Sequence, residues 1–262
     1  MQDGPILEAR DLRKAFGAGA GRTTILDGIS FSVREGDFVA VVGPSGCGKT
    51  TLLMALAGLQ PADAGEVRFR GRQVLSPPQG LALVFQDYSR SLFPWKTALR
   101  NVTFAMRGPQ GRAAKAARAE ELLHAVGLGD ALHKYPWQLS GGMQQRVAIA
   151  RGLASESDLL LLDEPLAAVD AQTRADMQDL ILDLAQRFRQ TCLLVTHDVD
   201  EAVYMADKVV VLSKRPTRVA TEITVGLGKA RDQIATREHP DYLHARHEVL
   251  ARIRAFRQPV AP

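Results

Sequence analysis

Residues 43–50 of the chain read Gly-Pro-Ser-Gly-Cys-Gly-Lys-Thr, and this G-x-x-x-x-G-K-[ST] spacing favours a phosphate-binding loop. Glycines let the backbone wrap closely, so that successive N–H groups can converge on an anion. Lys49 could then reach the β- and γ-phosphates of a nucleotide, and the Thr50 hydroxyl could ligate Mg²⁺. The predicted nucleotide-binding residues are Gly43, Pro44, Ser45, Gly46, Cys47, Gly48, Lys49, Thr50 and Thr51.

The flanks of this loop match the setting that the pattern requires. The apolar run Phe38–Val42 predicts a buried strand, and Thr51–Gly58 predicts a helix. The N-terminal end of such a helix carries partial positive charge, which adds to the attraction for phosphate. A glycine-rich turn that merely precedes a helix is the alternative, and the two correct flanks favour the phosphate site.

Two adjacent carboxylates, Asp163 and Glu164, follow the apolar run Leu159–Leu162. In enzymes with a phosphate loop, an apolar strand that ends in Asp places a carboxylate beside the loop to hold Mg²⁺, directly or through water. Glu164 would point the other way along the strand and could polarise the attacking water. Taken alone, a solvated acidic strand end would be the better interpretation, but the phosphate loop upstream favours the catalytic one.

A second arrangement suited to anions lies at residues 139–146, which read Leu-Ser-Gly-Gly-Met-Gln-Gln-Arg. A serine followed by two glycines at a helix start directs backbone N–H groups and a hydroxyl outward. A plain N-cap at Ser140 on a core helix is the alternative, but the whole octamer is more specific than a cap. Two such sites in one chain are most simply explained by a nucleotide held between two subunits.

Composition limits the class of protein. The 262 residues are 46% hydrophobic and 24% charged, as in soluble globular proteins, and no apolar run is long enough to span a bilayer. Met1–Pro5 lacks the basic start and apolar stretch of a secretory signal. The two distant cysteines, Cys47 and Cys192, fit a reducing cytosol better than a disulfide. The net charge of +4 is spread along the chain and does not decide between partners.

Hydrophobic periodicity predicts strands that alternate with helices, and such alternation implies a mostly parallel sheet. A helical stretch over Lys96–Leu153 would be an inserted lobe. The predicted strands are Ile6–Phe16, Ile29–Val33, Phe38–Val42, Gly65–Phe69, Leu81–Phe85, Leu159–Leu162, Cys192–Thr196 and Lys208–Leu212. A terminal amphipathic helix is predicted over Pro240–Phe256, with an apolar side formed by Tyr242, Val249, Ile253 and Phe256.

The phosphate loop, the Leu-Ser-Gly-Gly sequence, the Asp-Glu strand end and a later strand-terminal His197 occur in the order seen in ATP-binding-cassette (ABC) ATPases. The chain resembles this family over about residues 6–212. The resemblance implies an α/β fold of the P-loop NTPase type, with a mostly parallel sheet core, an antiparallel β subdomain and an inserted helical subdomain. It implies a single ABC ATPase domain over 1–262, divided into a core at about 1–95 and 155–225, a helical subdomain at about 96–154 and a C-terminal helical tail at about 226–262.

By the same resemblance, Glu164 would be the general base, and His197 would contact the γ-phosphate. Gln86 would sense Mg²⁺ and the attacking water, and the implied metal-associated residues are Thr50, Gln86 and Asp163. A surface glutamine and an ordinary strand-end histidine are the alternatives, and the family positions favour the functional roles. Phe16 lies where the family places an aromatic that stacks on adenine, with simple packing as its alternative.

The resemblance further implies a head-to-tail dimer, in which the signature of one subunit closes on the γ-phosphate held by Lys49 of the other. The signature residues are Leu139, Ser140, Gly141, Gly142, Met143 and Gln144. After Pro165 the family usually has Ser-Ala-Leu-Asp. This chain keeps Asp170 but has Ala167 in place of the serine that would bond across the dimer, which puts one inter-subunit contact in doubt.

Ser91–Trp95, Met143 and Thr196–Ala202 resemble the nitrate/sulfonate/taurine importer ATPases. This implies three partners: a second ABC ATPase subunit, expected as a homodimer, an integral membrane permease and, indirectly, an extracytoplasmic solute-binding protein, with no nucleic acid. The chain would lie peripherally on the cytoplasmic side of the inner cell membrane. Phe93, Pro94 and Trp95 would form an exposed patch for the permease, and a tryptophan buried within the lobe is the alternative.

Two other function classes stay open on the sequence alone. Soluble ABC ATPases act as mechanical switches on nucleic acid or the ribosome, but they usually carry two fused cassettes or a long coiled-coil insertion. A P-loop kinase that phosphorylates a small molecule would leave the Leu-Ser-Gly-Gly sequence unexplained. The ATP-hydrolysing subunit of a bacterial importer is therefore the main hypothesis.

Overall fold

A computed structural model describes residues 4–87, 91–167 and 169–256. The chain divides into two compact units, the first formed by 1–78 and 191–262 and the second by 79–190. The predicted domain boundaries include residues 1–3 and 257–262, and the segment that carries Ala167 includes residue 168; these positions lie outside the described residues.

The strands, in chain order, are β1 (Leu7–Phe16), β2 (Thr23–Val33), β3 (Phe38–Val42), β4 (Ala64–Phe69), β5 (Arg72–Gln73), β6 (Leu81–Val84), β7 (Leu159–Asp163), β8 (Thr191–Thr196), β9 (Lys208–Leu212) and β10 (Val219–Thr224). The helices are α1 (Lys49–Leu56), α2 (Ala98–Ala105), α3 (Arg112–Ala125), α4 (Gly141–Ala154), α5 (Ala171–Arg187), α6 (Val199–Met205), α7 (Ala235–Glu238) and α8 (Pro240–Ala255). Short 3₁₀ turns lie at Gly19–Gly21, Gly129–Ala131 and Pro136–Gln138.

The first unit contains an antiparallel sheet in the order β2-β1-β4-β5. β1 and β2 pair from Leu7↔Val33 to Phe16↔Thr23, and the β2 strand alternates buried and exposed positions towards its end. This alternation is typical of a sheet with one face on the core. The predicted antiparallel subdomain is confirmed.

The same unit contains the parallel strands that carry the phosphate loop. β3 is fully buried and pairs in parallel with β8 on one side and β9 on the other, while β10 adds to β9 in an antiparallel direction. A strand covered on both faces is expected to be apolar throughout, as β3 is. The helices α6, α7 and α8 complete this unit, and α8 packs on α6, β9 and β10.

In the part of the second unit that the structure describes, the parallel pair β6 and β7 is accompanied by helices α2, α3, α4 and α5. The register runs from Leu81↔Leu159 to Val84↔Leu162. Helices α2, α3 and α4 pack on one another, and α4 also packs on β6. The predicted helical stretch is confirmed, and it resolves into three helices that end at Ala154.

The terminal helix α8 forms nearly as predicted. Its buried side chains are Tyr242, Ala245, Val249 and Ile253, whereas Phe256 lies just beyond the helix and is half-buried. The spacing of three, four and four residues keeps these positions on one face. Among the described residues, no helix has both the length and the apolar character needed to cross a lipid bilayer.

Candidate functional site

The phosphate loop connects β3 to α1, and two of its glycines are required by geometry. Gly48 has φ +112°, and a Cβ there would lie 2.5 Å from the Ile25 Cγ2. A Cβ on Gly43 would lie 2.9 Å from the Leu212 Cβ and 3.1 Å from the Cys47 Sγ. Any side chain at these two positions would therefore displace the loop from β2 and β9.

We expect Gly48→Ala to destabilise the protein and to abolish ATP binding, because it adds a steric overlap to a left-handed backbone. The strain alone costs about 1–3 kcal/mol. Gly36→Ala is the matched control, since Gly36 has φ +80° and its Cβ would meet nothing within 4 Å. Urea unfolding should show a loss of about 1–3 kcal/mol for Gly36→Ala, from backbone strain alone, and a larger loss for Gly48→Ala, and equal losses would contradict the packing argument.

Lys49 begins α1 and is only 7% exposed. Its Nζ donates to the carbonyls of Gly43 at 3.2 Å and Pro44 at 3.4 Å, so the ammonium group lies against the inside of the loop. The helix that it begins directs further N–H groups toward the same end. The loop therefore gathers a positive charge and backbone donors in one place, as phosphate binding requires.

A buried threonine outside the motif fixes the shape of this loop. The Thr217 hydroxyl donates to the Cys47 carbonyl, and the side chain is fully buried. The Thr217 N–H donates to the Ile25 carbonyl at 2.8 Å, and its carbonyl accepts from the Asp27 N–H at 2.9 Å. Sequence reasoning missed Thr217, because no local pattern links it to a loop that lies 170 residues earlier.

Cys47, within the loop, is also buried. Burial raises the pKa of the Cys47 thiol, although the neighbouring Lys49 ammonium acts in the opposite direction. The neutral thiol packs against the loop as a small apolar group. Its contribution to the site is therefore packing, not charge.

Strand pairing brings His197 to the same sheet end as the phosphate loop. Val42 pairs with Thr196 in the parallel register of β3 and β8, so Gly43 and His197 follow neighbouring strand ends. His197 is exposed. Asp198, the next residue, caps α6 by accepting from the N–H groups of Asp200 at 2.9 Å and Glu201 at 3.1 Å.

Phe16 ends β1 in the first unit and is 41% exposed. The Lys14 Nζ lies 5.7 Å from the centre of the Phe16 ring. Asp63 holds this strand end by accepting from the Lys14 Nζ and from the Ala15 N–H, each at 2.8 Å. A solvent-accessible ring at a fixed strand end is suited to stacking on a flat ligand.

In the second unit, the parallel strands β6 and β7 end side by side, with Val84 paired to Leu162. The predicted carboxylates lie at the end of β7 and directly after it. Asp163 is the last residue of β7 and is 4% exposed. Glu164 follows with φ +42°, a left-handed backbone that is uncommon outside glycine. The Gln86 Nε2 lies 3.5 Å from the Glu164 Oε2. The structure therefore places Gln86 beside Glu164, the residue that follows Asp163.

The Leu-Ser-Gly-Gly sequence forms the start of α4. Ser140 is the N-cap and accepts from the Met143 N–H at 3.3 Å, and both Ser140 and Gly141 are exposed. The Gln144 Nε2 turns back to donate to the carbonyls of Pro136 at 2.9 Å and Leu139 at 3.2 Å. Gln144 thus holds the preceding loop, which leaves the serine and the first glycine at the surface.

Asp170 is the N-cap of α5, as Ser140 is of α4. It accepts from the Thr173 N–H at 3.0 Å and from the Thr173 hydroxyl at 2.7 Å. These hydrogen bonds, the backbone N–H first, hold the pKa of Asp170 below its ordinary value. Asp170 is therefore a charged N-cap, and the preceding Ala167 is exposed.

Three comparisons with known proteins identify the family. A family model described as ABC transporter matches residues 26–167, more than half of the chain. The aliphatic sulfonates import ATP-binding protein SsuB 2 of Burkholderia cenocepacia is 45% identical over 229 residues, which are 87% of this chain and 82% of that protein. The nitrate import ATP-binding protein NrtC of Synechococcus elongatus is 40% identical over 236 residues, which are 88% of this chain and 36% of that protein.

A solved structure supports the same family at the level of the fold. It is described as the dimeric, post-hydrolysis state of the ATP-binding cassette MJ0796 bound to ADP and Pi. It matches with a TM-score of 0.74 and 30% identity, over 85% of this chain and 100% of that chain. The predicted resemblance and fold class are confirmed. The chain belongs to the ABC transporter family, as one of its ATP-hydrolysing subunits.

Proposed function

We propose that the chain drives a bacterial importer for small oxyanions, of the sulfonate and nitrate kind. The relatives described above are named for import of these two substrates. The observation on the structure that supports a membrane partner most directly is an exposed aromatic cluster in the second unit, formed by Phe93, Trp95 and Phe104. The single ABC ATPase domain and its division into core, helical subdomain and tail remain part of this proposal.

ATP binding is assigned to the phosphate loop and Phe16. The loop N–H groups and Lys49 hold the β- and γ-phosphates, and the Phe16 ring stacks on adenine. Lys49 is suited to this because its ammonium group is buried within the loop, so an interaction with phosphate there is weakly screened by solvent. Pro44, Ser45, Gly46, Cys47 and Thr51 complete the backbone around the phosphates.

Hydrolysis is assigned to Glu164, with Gln86 and His197. The Glu164 carboxylate accepts a proton from the attacking water, and Gln86, whose amide lies 3.5 Å from it, orients that water. His197 donates a hydrogen bond to the γ-phosphate as charge builds on it. The left-handed backbone at Glu164 supports this role, because strained residues concentrate at functional sites.

The residues expected at a metal fit Mg²⁺ in chemistry. Thr50, Gln86 and Asp163 offer hydroxyl, amide and carboxylate oxygens, which are the ligands of a hard cation. Among the described residues, no group of three or more His, Cys, Asp and Glu side chains could hold a metal alone. When bound, Mg²⁺ would neutralise charge on the β- and γ-phosphates.

A second copy of the chain would complete the site. In this proposal Ser140, Gly141 and Gly142 of one subunit close on the γ-phosphate held by the other, with Leu139, Met143 and Gln144 as their support. The exposure of Ser140 and Gly141 leaves them accessible to such a partner. Asp170 supports α5 near this surface of the second unit, and Ala167 removes one hydroxyl that could have bonded across.

The aromatic cluster is proposed as the docking surface for the membrane permease. Trp95 is 67% exposed and Phe104 62% exposed. The Phe93 ring centre lies 5.5 Å from that of Trp95 and 4.7 Å from that of Phe104, and the Lys96 ammonium lies 5.4 Å from the Phe104 centre. The alternative of a tryptophan buried in the lobe is wrong. A connected apolar patch of this kind marks an interaction surface.

The test is an affinity pull-down of the tagged chain from detergent-solubilised membranes. We expect a polytopic membrane protein at a one-to-one ratio, and Trp95→Ala to lose it, because exposed aromatic anchors carry much of an interface's binding energy. Trp137→Ala is the matched control, since Trp137 is 66% exposed in the same unit and stacks 4.5 Å from Tyr135. Equal loss in both variants would contradict the docking surface, and recovery of ribosomal or nucleic-acid partners alone would contradict the importer assignment.

The remaining parts of the proposal follow if the chain is a subunit of an importer. The chain would lie on the cytoplasmic face of the inner membrane as a homodimer, with an extracytoplasmic solute-binding protein that delivers the substrate to the permease. ATP would close the dimer and move the permease, and hydrolysis would reopen it. Substrate choice would then belong to the permease and the binding protein.

A further inference from the structure

The C-terminal segment, defined here as residues 231–246, holds the start of α6, the seven-residue helix that follows His197. The Asp200 Oδ1 accepts from the Tyr242 hydroxyl at 3.1 Å and from the Arg246 Nε, both on α8. The Arg246 Nη2 also lies 3.5 Å from the Asp200 Oδ2. One guanidinium therefore engages both oxygens of the carboxylate, which is the most directional form of ion pair.

The same segment also holds the end of α6. The Arg231 Nε donates to the Tyr204 carbonyl at 3.0 Å, and its Nη2 to the Ala206 carbonyl at 3.5 Å. The Arg237 guanidinium lies 5.0 Å over the Tyr204 ring, and its Nη1 donates to the Tyr242 hydroxyl at 3.4 Å. Both ends of α6 are thus attached to residues near the C-terminus.

A helix of two turns depends on such attachments, because isolated helices shorter than about 12–15 residues are marginal in water. The position of His197 depends on α6 in turn. The Thr196 hydroxyl hydrogen-bonds the buried Glu201 carboxylate at 2.5 Å and accepts from the Asp198 N–H at 3.1 Å. Asp198 caps the helix by accepting from Asp200 and Glu201. His197 therefore lies between two residues whose hydrogen bonds are made with α6.

We propose that the C-terminal segment is a positioning element for His197, with Arg246 and Tyr242 as its principal residues. Loss of the Arg246 contact removes the ion pair at Asp200, loosens the first turn of α6 and moves the turn that carries His197. The proposal rests on the contact between His197 and the γ-phosphate given above. A misplacement of about 1 Å can lower a rate by about 100-fold. Because the phosphate loop is untouched, the effect falls on kcat and not on ATP binding.

The test is steady-state ATP hydrolysis by the purified full chain. We expect Arg246→Ala to lower kcat by about tenfold and to leave KM for ATP within about twofold of wild type. Arg246→Lys keeps the charge and should restore part of the rate. Arg252→Ala removes an exposed arginine from the same helix and should change neither constant. Thermal melting of each variant shows that the fold is kept.

A double variant separates positioning from a general structural effect. In a His197→Ala background, Arg246→Ala should cause no further fall in kcat, because residues that act as a unit are not additive. An additive fall, or a wild-type kcat for Arg246→Ala alone, would overturn this proposal and leave the role of His197 in place. Wild-type hydrolysis by His197→Ala would overturn both.

A milder variant serves if Arg246→Ala fails to fold. Tyr242→Phe removes one hydroxyl from the Asp200 contact and keeps the ring, which is buried in α8. We expect kcat to fall by about threefold, less than for Arg246→Ala, because the hydroxyl supplies one hydrogen bond to the Asp200 carboxylate whereas the Arg246 guanidinium engages both of its oxygens. An unchanged kcat in a Tyr242→Phe protein that melts like wild type would count against the positioning role.

Discussion

Glu164→Gln will bind ATP normally and hydrolyse it about 10²–10⁴-fold more slowly, which is the effect expected from losing a general base. Glutamine has the same shape, but its amide does not take a proton from the attacking water. ATP then persists, and two subunits stay closed on it. The measurements are steady-state hydrolysis and size-exclusion chromatography with ATP and Mg²⁺, in which the variant should elute as a dimer.

Glu156→Gln is the matched control for this variant. Glu156 lies in the same unit, is exposed and has φ +51°, close to the +42° of Glu164. It shares the left-handed backbone, but it follows a helix and not the strand that carries Asp163. We expect wild-type turnover from Glu156→Gln. Near wild-type hydrolysis by Glu164→Gln would instead refute its assignment as the base.

Lys49→Ala should abolish productive ATP binding. Removing one partner of a buried charge pair costs about 2–5 kcal/mol, and each 1.4 kcal/mol is about tenfold in affinity. The dissociation constant for ATP should therefore rise by at least about thirtyfold. Isothermal titration with ATP gives this value directly, and an unchanged affinity would contradict the assigned role of the loop.

Two controls distinguish lost phosphate contact from a disturbed loop. Lys49→Met keeps most of the buried volume, so it should lose affinity as Lys49→Ala does but melt closer to wild type. Arg254→Ala removes an exposed positive charge on α8 and should bind ATP as wild type does. A normal affinity in Lys49→Met would mean that volume, and not the ammonium charge, is what the loop needs.

Much of the fold was predictable because its signals are local. β3 forms over the predicted residues, since an apolar run between turn residues is a short-range pattern. β10 was missed because Val219–Thr224 is largely exposed or half-buried and mixes polar with apolar residues. Only its pairing with β9 reveals it as a strand.

In the candidate site, too, some features could be predicted from the sequence and others could not. The loop, the carboxylates and the serine cap lie in motifs of a few residues, so their places could be predicted. Thr217 and the contact of Asp200 with Arg246 join residues 170 and 46 positions apart. Interactions of this kind depend on the folded chain and leave no periodicity or spacing in the sequence. The roles of the site residues themselves stay predictions for the variants to test.

The hydrogen bond from Thr217 to the Cys47 carbonyl has a consequence for the energetics of ATP capture. A loop that becomes ordered only when its ligand arrives gives up about 1–2 kcal/mol of backbone conformational entropy per residue. Here a buried side chain from a distant segment holds one carbonyl of the loop within the fold itself. A loop that is already held in this way loses less of the free energy of its phosphate contacts to ordering, so more of it is available for affinity.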